Sequence, residues 1–391
     1  MKKKLLFING HLNVGGVERS LVDLLRNIDY NKYDIDLLLL EDKGDYLSQI
    51  PKGVNIIFVD ATKAYGPFLK SLILNLLAFR WSMILYRIVL FFSFKFWKKC
   101  LVVFRYILGL NSRYDVAIAY RTTGICMDIA IYTVRSKKKM VWWHNGEINL
   151  NLSQIKSYNE TLSFFDNVVT VSYACKRMLE NTFTYPRHKI MVIPNMVDIK
   201  QIFKMAGNIS PYTDIVSTRI VSVGRLCPEK HFEEVVIVVK KFLNDGLKDF
   251  HWYIIGDGDL RMKLEELIKE QEVGKYITLL GKKDNPYPWI KYADIYVHPS
   301  HVESQGLTIL EAMSLDIPCV ICCSAGPSEF VINGVNALMT ESNSDSLYKG
   351  VLAMMKNKHK EALTAEAKIM VENRFSTHRI IELFDNQIAL Y

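Results

Sequence analysis

Two doubly wound α/β domains facing a cleft are the fold class predicted by three features of this 391-residue sequence. Short apolar runs recur with helical stretches between them, the rhythm restarts in the second half, and a polar break separates the halves. The first half carries "KLLFIN", "DIDLLLL", "VNIIFV", "DVAIAY", "KMVWWHN", "NVVTVS" and "KIMVIPN". Near-continuous apolarity, in place of alternation, marks strands buried on both faces of a parallel sheet. The second half continues with "RIVSVG", "HWYIIG", "YITLLG", "DIYVHPS" and "PCVICC". Between them, "KMAGNISPYTDIVST" has the Gly, Pro, Ser and Thr content of a linker. The predicted domains are 1–205 and 219–375, joined by a linker at 206–218. A capped amphipathic helix over 376–391 is expected to pack back toward the first domain.

The opening "MKKKLLFING" starts like a signal peptide, but its apolar run Leu5–Ile8 is shorter than the ~7–15 residues of such a core. It is expected to be the first strand of a cytoplasmic protein. Seven cysteines without framework spacing predict reduced thiols, and "CVICC" predicts a buried strand and no metal site. The formal charge of +8 favours phosphate-bearing partners without separating nucleic acid, lipid head groups and nucleotides. No recognised nucleic-acid-binding module appears.

Residues 61–114 break the rhythm, being rich in Leu, Ile, Phe and Trp and free of Asp and Glu. Arg80 and Arg87 interrupt the apolar stretches, which argues against a ~20-residue membrane span. On a helix, the basic residues from Lys70 to Arg105 fall within ~120° of arc. That pattern predicts a helical insertion lying in an anionic membrane interface, with aromatic residues such as Trp81 and Trp97 entering the acyl boundary. A core helix pair with a solvated basic edge is the alternative.

Two segments of the second half carry candidate chemistry. "RLCPEKHF" follows a strand and places Pro228 at an expected first helical position, with Arg225 just before it and Lys230 in the first turn. A helix N-terminus flanked by two cations suits a diphosphate. In "HVESQGLTILEAM", a helix beginning near Gln305 would direct the N–H groups of Gln305, Gly306 and Leu307 at the same anion. Glu311 would then lie ~9 Å along the axis, within reach of a ribose, and Glu303 would face the group beyond the diphosphate. Spacing alone equally allows a solvated Glu303 and a Glu311 in an internal salt bridge.

"GRLCPEKHF", "ESQGLTILEAM" and "GPSEFVINGVNALM" together resemble the retaining nucleotide-sugar glycosyltransferases of family 4, whose signature is E-x7-E. "GGVER" at 15–19, "HN" at 144–145, "PNMVD" at 194–198 and "GDGDL" at 256–260 extend the resemblance over most of the chain. It implies the GT-B fold, two Rossmann-like domains across a cleft. It also implies roles. Arg225 and Lys230 would bind the donor diphosphate, Glu311 the ribose and Glu303 the transferred sugar, while Gly15 and Gly16 would approach donor phosphate and acceptor. His144 would contact the sugar from the facing domain, although a histidine beside Trp142 and Trp143 is also compatible with simple packing.

Four departures touch the site: Gln305 within the usual E-G-F-G-L, His231 where glycine is usual, Met196 in P-N-G-V-D, and Asn145 after His144 where Asp is frequent. Gln305 is expected to alter the sugar pocket or its hydrogen bonds. The resemblance further implies transfer with retention, no cofactor and no metal ion. The partners expected are a nucleotide-sugar donor, a lipid-linked or glycan acceptor and an anionic membrane surface, with the protein on the inner face of the cell membrane. A GT-B-fold binding subunit without catalysis is the competing expectation, against which the intact Glu303, Glu311, Arg225 and Lys230 argue. A dinucleotide-dependent dehydrogenase would need G-x-G-x-x-G, and "GDGDLR" has only its first two glycines.

Overall fold

The computed structural model describes residues 2–58, 112–122 and 125–390, with isolated positions 73, 76 and 81. Seven parallel strands build the first lobe: β1 (Lys3–Asn9), β2 (Tyr33–Leu39), β3 (Val54–Phe58), β4 (Arg113–Ala119), β5 (Arg135–Trp143), β6 (Asn167–Thr170) and β7 (Ile190–Val192). Their order is β3-β2-β1-β4-β5-β6-β7. The second lobe has β8 (Thr218–Val223), β9 (Phe250–Ile255), β10 (Ile277–Gly281), β11 (Ile295–His298), β12 (Cys319–Cys322) and β13 (Leu338–Thr340), in the order β10-β9-β8-β11-β12-β13. Strand order reverses between β1 and β4 and again between β8 and β11. Open α/β sheets bind ligands beyond the strand C-termini at such reversals.

Both faces of each sheet are covered, which accounts for the apolar runs. Leu5 and Phe7 of β1 enter one core cluster, and Leu6 and Ile8 enter the cluster on the opposite face. In β8, Val221 and Ile220 divide in the same way. β12 is buried as expected, and the described cysteines, including Cys319 and Cys322, are free thiols. Strand β13 escapes the sequence reading because Leu338–Thr340 sits in no longer apolar run, whereas the equally short β7 continues into Ile193.

Six helices position the site and join the lobes: α1 (Gly16–Asn27), α2 (Tyr173–Thr182), α3 (Ile199–Ala206), α4 (Phe232–Asn244), α5 (Leu307–Ser314) and α6 (Thr377–Ala389). The expected domain boundary at 205 falls inside α3. Ile202 and Ala206 are buried in the second lobe's core, so that helix belongs to the second lobe by packing. The reason is α3's amphipathic face, which finds Tyr287 and Ile290 in the same cluster.

Helix α6 returns to the first lobe. Its Ile380, Phe384 and Ile388 are buried among first-lobe residues. Phe384 stacks on Phe7 at 6.3 Å and meets Tyr33 edge-on at 6.0 Å. Polar ties hold the rim: Lys3 Nζ donates to the Ile388 carbonyl at 2.7 Å, and Tyr33 Oη donates to Asp385 at 3.0 Å. The chain crosses where Val197 N–H donates to the Phe375 carbonyl at 2.8 Å.

Most of the predicted insertion, and with it the basic arc, lies outside the described residues. Ile73, Leu76 and Trp81 are helical and exposed. Arg113 and Tyr114, included in the expected insertion, are the first residues of β4. Among the described residues no helix is long and apolar enough to cross a membrane.

Truncating Phe384 to alanine is expected to cost about 3–5 kcal/mol, the usual range for a buried phenylalanine. Chemical denaturation of Phe384→Ala followed by tryptophan fluorescence measures it.

Candidate active site

The second lobe's site grows from the loop between β11 and α5. Helix α5 begins at Leu307, two residues later than the sequence suggested, because Gly306 takes a left-handed conformation (φ 82) that ends the loop. A side chain there would bring a Cβ within 2.8 Å of Ile309 Cδ1. Glu311 consequently sits about 6 Å, and not ~9 Å, along the axis from the first helical residue. The N–H groups of Gln305, Gly306 and Leu307 have no hydrogen-bond acceptor among the described residues.

Loop and neighbouring turn are sewn together at Glu229. Its carbonyl accepts from Ser300 Oγ at 2.8 Å and from His301 N–H at 3.2 Å. Pro228–Lys230 is a single 3-10 turn, and His231 (φ 47, ψ 42) separates it from α4, which begins at Phe232. The expected helix start at Pro228 is thus corrected: a left-handed residue intervenes. That conformation explains the usual glycine. In this chain His231 accepts a strain of roughly 1–2 kcal/mol and stacks on His301, ring centroids 3.7 Å apart.

The turn delivers the Lys230 ammonium onto the Glu303 carboxylate. His298 Nε2 lies 2.7 Å from the same Glu303 oxygen, and His298 is 2% exposed. Burial alone would raise the Glu303 carboxyl, but Lys230 and His298 outweigh it and hold it at about 2. Arg225 follows β8 and is exposed; its carbonyl accepts from Cys227 N–H at 2.9 Å, and its guanidinium makes no hydrogen bond or ion pair among the described residues. Its turn is fixed from behind, where a Cβ at Gly256 would fall 1.8 Å from the Gly224 carbonyl oxygen. Both cations therefore stand at the strand-order reversal of the second sheet.

Glu311 is buried and accepts from Tyr287 Oη at 2.8 Å. Burial raises its carboxyl to about 7, against the opposing pull of Arg19 and Tyr287. Arg19 belongs to α1 in the other lobe, bonds Asp23 at 3.0 Å and lies over the Tyr287 ring at 6.0 Å. The second acid of the pair is thus reached by a cation from across the cleft.

In the first lobe, His144 directly follows β5 and stacks obliquely on Tyr120 at 4.9 Å. Its Nε2 is buried without a hydrogen-bond partner among the described residues. Burial, with the charge of Arg121 adding to it, holds the imidazole neutral at about 3. Gly15 and Gly16 lead into α1 and answer to different constraints. A Cβ at Gly15 would strike Glu18 Oε2 at 2.4 Å, whereas nothing lies within 4 Å of one at Gly16. Glu18 is buried between Arg121, 3.3 Å away, and His11, 3.7 Å away.

The lobes touch around the first acid. A Cβ at Gly146 would fall 2.8 Å from Ser304 N, so the loop after His144 presses on the Glu303–Ser304 backbone. Gln305, expected to change the sugar pocket, instead spends its side chain on the other lobe. Its Oε1 accepts from Asn195 N–H at 2.7 Å and its Nε2 donates to the Asn195 carbonyl at 2.9 Å. Glu329 caps α2 of the first lobe, accepting from Tyr173 N–H at 3.0 Å and from Ala174 N–H. Sequence reading missed His298, Arg19, Glu18, Arg121 and Glu329. The available signal was a polar residue closing or directly following an apolar run, as in "YVHPS" and "IAYR".

The chain matches the model "Glycosyltransferase Family 4" over residues 14–201 and "Glycosyl transferases group 1" over 217–370. It is 25% identical over 374 residues to the N-acetylgalactosamine-N,N'-diacetylbacillosaminyl-diphospho-undecaprenol 4-alpha-N-acetylgalactosaminyltransferase of Campylobacter jejuni, covering 94% of each chain. To the UDP-Gal:alpha-D-GlcNAc-diphosphoundecaprenol alpha-1,3-galactosyltransferase of Escherichia coli it is 28% identical, covering 52% of this chain and 54% of that one. The chain spans about half the length of several other curated relatives it matches. The crystal structure of Anabaena HepE with UDP and glucose superposes with a TM-score of 0.72, at 17% identity and over 100% of both chains. With two facing doubly wound lobes and family matches on both, the chain belongs to the GT-B glycosyltransferases of family 4.

Proposed function

We propose that the protein moves a hexose or N-acetylhexosamine from a UDP-linked donor to a membrane-associated, polyprenyl-diphosphate-linked glycan, with retention at the anomeric carbon and without a metal ion. The observation that carries this reading is the set of groups at the reversal of the second sheet. Lys230, the Arg225 guanidinium and three N–H groups at the start of α5, the last two without a partner among the described residues, gather where a diphosphate would need them. Lys230 is paired with Glu303, and a donor diphosphate competes for that cation.

During transfer, the acceptor hydroxyl attacks the anomeric carbon on the face the diphosphate leaves. The carbon–oxygen bond to phosphate breaks, its electron pair stays on the phosphate oxygen, and that oxygen takes the hydroxyl proton. The largest useful contribution is then stabilisation of charge on the leaving group. Arg225 and Lys230 supply it, Glu303 holds the sugar, and Glu311 accepts from the ribose hydroxyls. Neutral His144, with its buried free Nε2, meets the sugar from the first lobe.

Two features support a lipid-linked acceptor on the inner face of the membrane. The relatives from Campylobacter and Escherichia are named for undecaprenyl-diphosphate substrates. Residues 61–111 hold many cations and aromatics and no acid.

Lys230→Ala and Arg225→Ala are expected to lower donor turnover at least about 100-fold while the proteins stay folded, as product release and circular dichroism would record. Near-normal turnover in Lys230→Ala would contradict the assignment. Titration of Glu311 gives a second expectation. Its carboxyl is raised to about 7, and the carboxylate can accept from both ribose hydroxyls with a full charge whereas the acid must donate at one oxygen, so UDP binding should tighten up to roughly tenfold from pH 6 to pH 8. Glu311→Gln should flatten that rise, and calorimetry on both proteins separates it from titration of the UDP phosphate. Deleting residues 70–105 should abolish binding to vesicles of anionic lipid in a flotation assay, and unchanged binding would remove the membrane-interface assignment.

A further inference from the structure

Glu303 has a second, hidden partner. His298 closes β11, five residues before the acid, and is buried with its Nε2 on Glu303 Oε1 at 2.7 Å. Its Nδ1 lies 3.2 Å from Tyr296 Oη, and the Thr308 side chain bonds the same phenol. Proton bookkeeping along this row has one solution. Glu303 is a carboxylate and only accepts, so Nε2 must carry the hydrogen. Burial keeps the imidazole neutral, so Nδ1 is bare and accepts from Tyr296 Oη. Tyr296, donating to histidine, accepts in turn from the Thr308 hydroxyl. The row runs from the first turn of α5, through β11, to the carboxylate.

Lys230 and His298 stand differently toward a ligand. Lys230 reaches Glu303 from the cleft and can turn to a phosphate, whereas His298 is locked in the core. We propose that His298 is a positioning residue: through a neutral imidazole of fixed tautomer it holds the Glu303 carboxylate in place for the sugar once the donor diphosphate draws Lys230 away. This rests on the donor-site reading above and extends it to a residue that touches neither donor nor acceptor. A carboxylate losing both partners at once would be an uncompensated charge in a buried site, and His298 keeps one partner constant.

The test compares His298→Leu, which removes the donor, with His298→Gln, whose amide can present an N–H near the place of Nε2. The readouts are kcat for sugar transfer and, separately, UDP affinity by calorimetry. His298→Leu is expected to lower kcat about 100-fold, the effect of a reacting group misplaced by about an ångström. Its UDP affinity should stay within about threefold of wild type, and His298→Gln should recover at least about tenfold in kcat. Wild-type kcat in His298→Leu, equal impairment in both variants, or loss of UDP binding in step with kcat would each overturn the proposal. If His298→Leu does not fold, Tyr296→Phe decides, since it frees the tautomer: lowered kcat with unchanged UDP affinity supports the role, and unchanged kcat overturns it.

A readout without any donor separates failure of this idea from failure of the donor site. Carbon-detected NMR titration of Glu303, which faces Lys230 and His298, should show its carboxyl titrating at higher pH in His298→Leu than in wild type. No difference would sink the positioning role even if the enzyme binds UDP as proposed. A raised Glu303 in an enzyme that binds no UDP would sink the donor reading and, with it, the role assigned to His298.

Discussion

A carboxylate largely withdrawn from water must be matched, and the geometry around Glu303, whose side chain is 11% exposed, reflects that requirement. Leaving one such charge unpaired typically costs several kcal/mol, more than most loops can absorb. The β11–α5 loop is accordingly stitched to the Pro228–Lys230 turn through the Glu229 carbonyl, which keeps Lys230 within reach. The left-handed residues His231 and Gly306 make these tight reversals possible. Glu303 neutralises Lys230, so a ligand phosphate reaches that cation by exchange of partners, whereas the Arg225 guanidinium and the N–H groups at the start of α5 can meet it directly.

The same loop also closes the cleft. Gln305 pairs with Asn195 as one strand edge pairs with another, and Glu329 caps α2 from the facing lobe. A carboxylate at a helix N-terminus is favourable both as acceptor and against the helix dipole. Neither contact takes part in the proposed chemistry, yet both tie together the lobes where Gly146 lies against the Glu303–Ser304 backbone. The two acids of the signature differ in character as a result. Glu303 is settled by partners on its own lobe, whereas Glu311 has Arg19 of the other lobe in its surroundings and is held far less acidic.

Strands buried on both faces were legible because their signal is a run of six or so apolar residues that needs no partner to be recognised. β13 was invisible, since its three residues run straight into Thr340 and Glu341 with no longer apolar run around them. Helix starts were misplaced by two to four residues at Pro228 and Gln305 because the deciding feature, a left-handed residue at His231 or Gly306, is set by tertiary contacts. Arg225, Lys230, Glu303 and Glu311 could be picked out by spacing because they lie in two short segments. His298, Arg19 and Glu18 could not, because their partners come from elements far apart in the chain or from packing around a strand end. Gln305 shows the converse: its place in a motif suggested the pocket, and its amide found a backbone in the other lobe.

Helix α6 has a consequence for biosynthesis. The first lobe's sheet emerges from the ribosome early, but Phe384 and Ile388, which fill one side of it, are made only after the whole second lobe. Domains generally fold in the order of their synthesis. Here the earlier one waits with an open apolar face around Phe7 and Tyr33 until the later one is complete, a window in which a nascent chain is exposed to aggregation and dependent on chaperones.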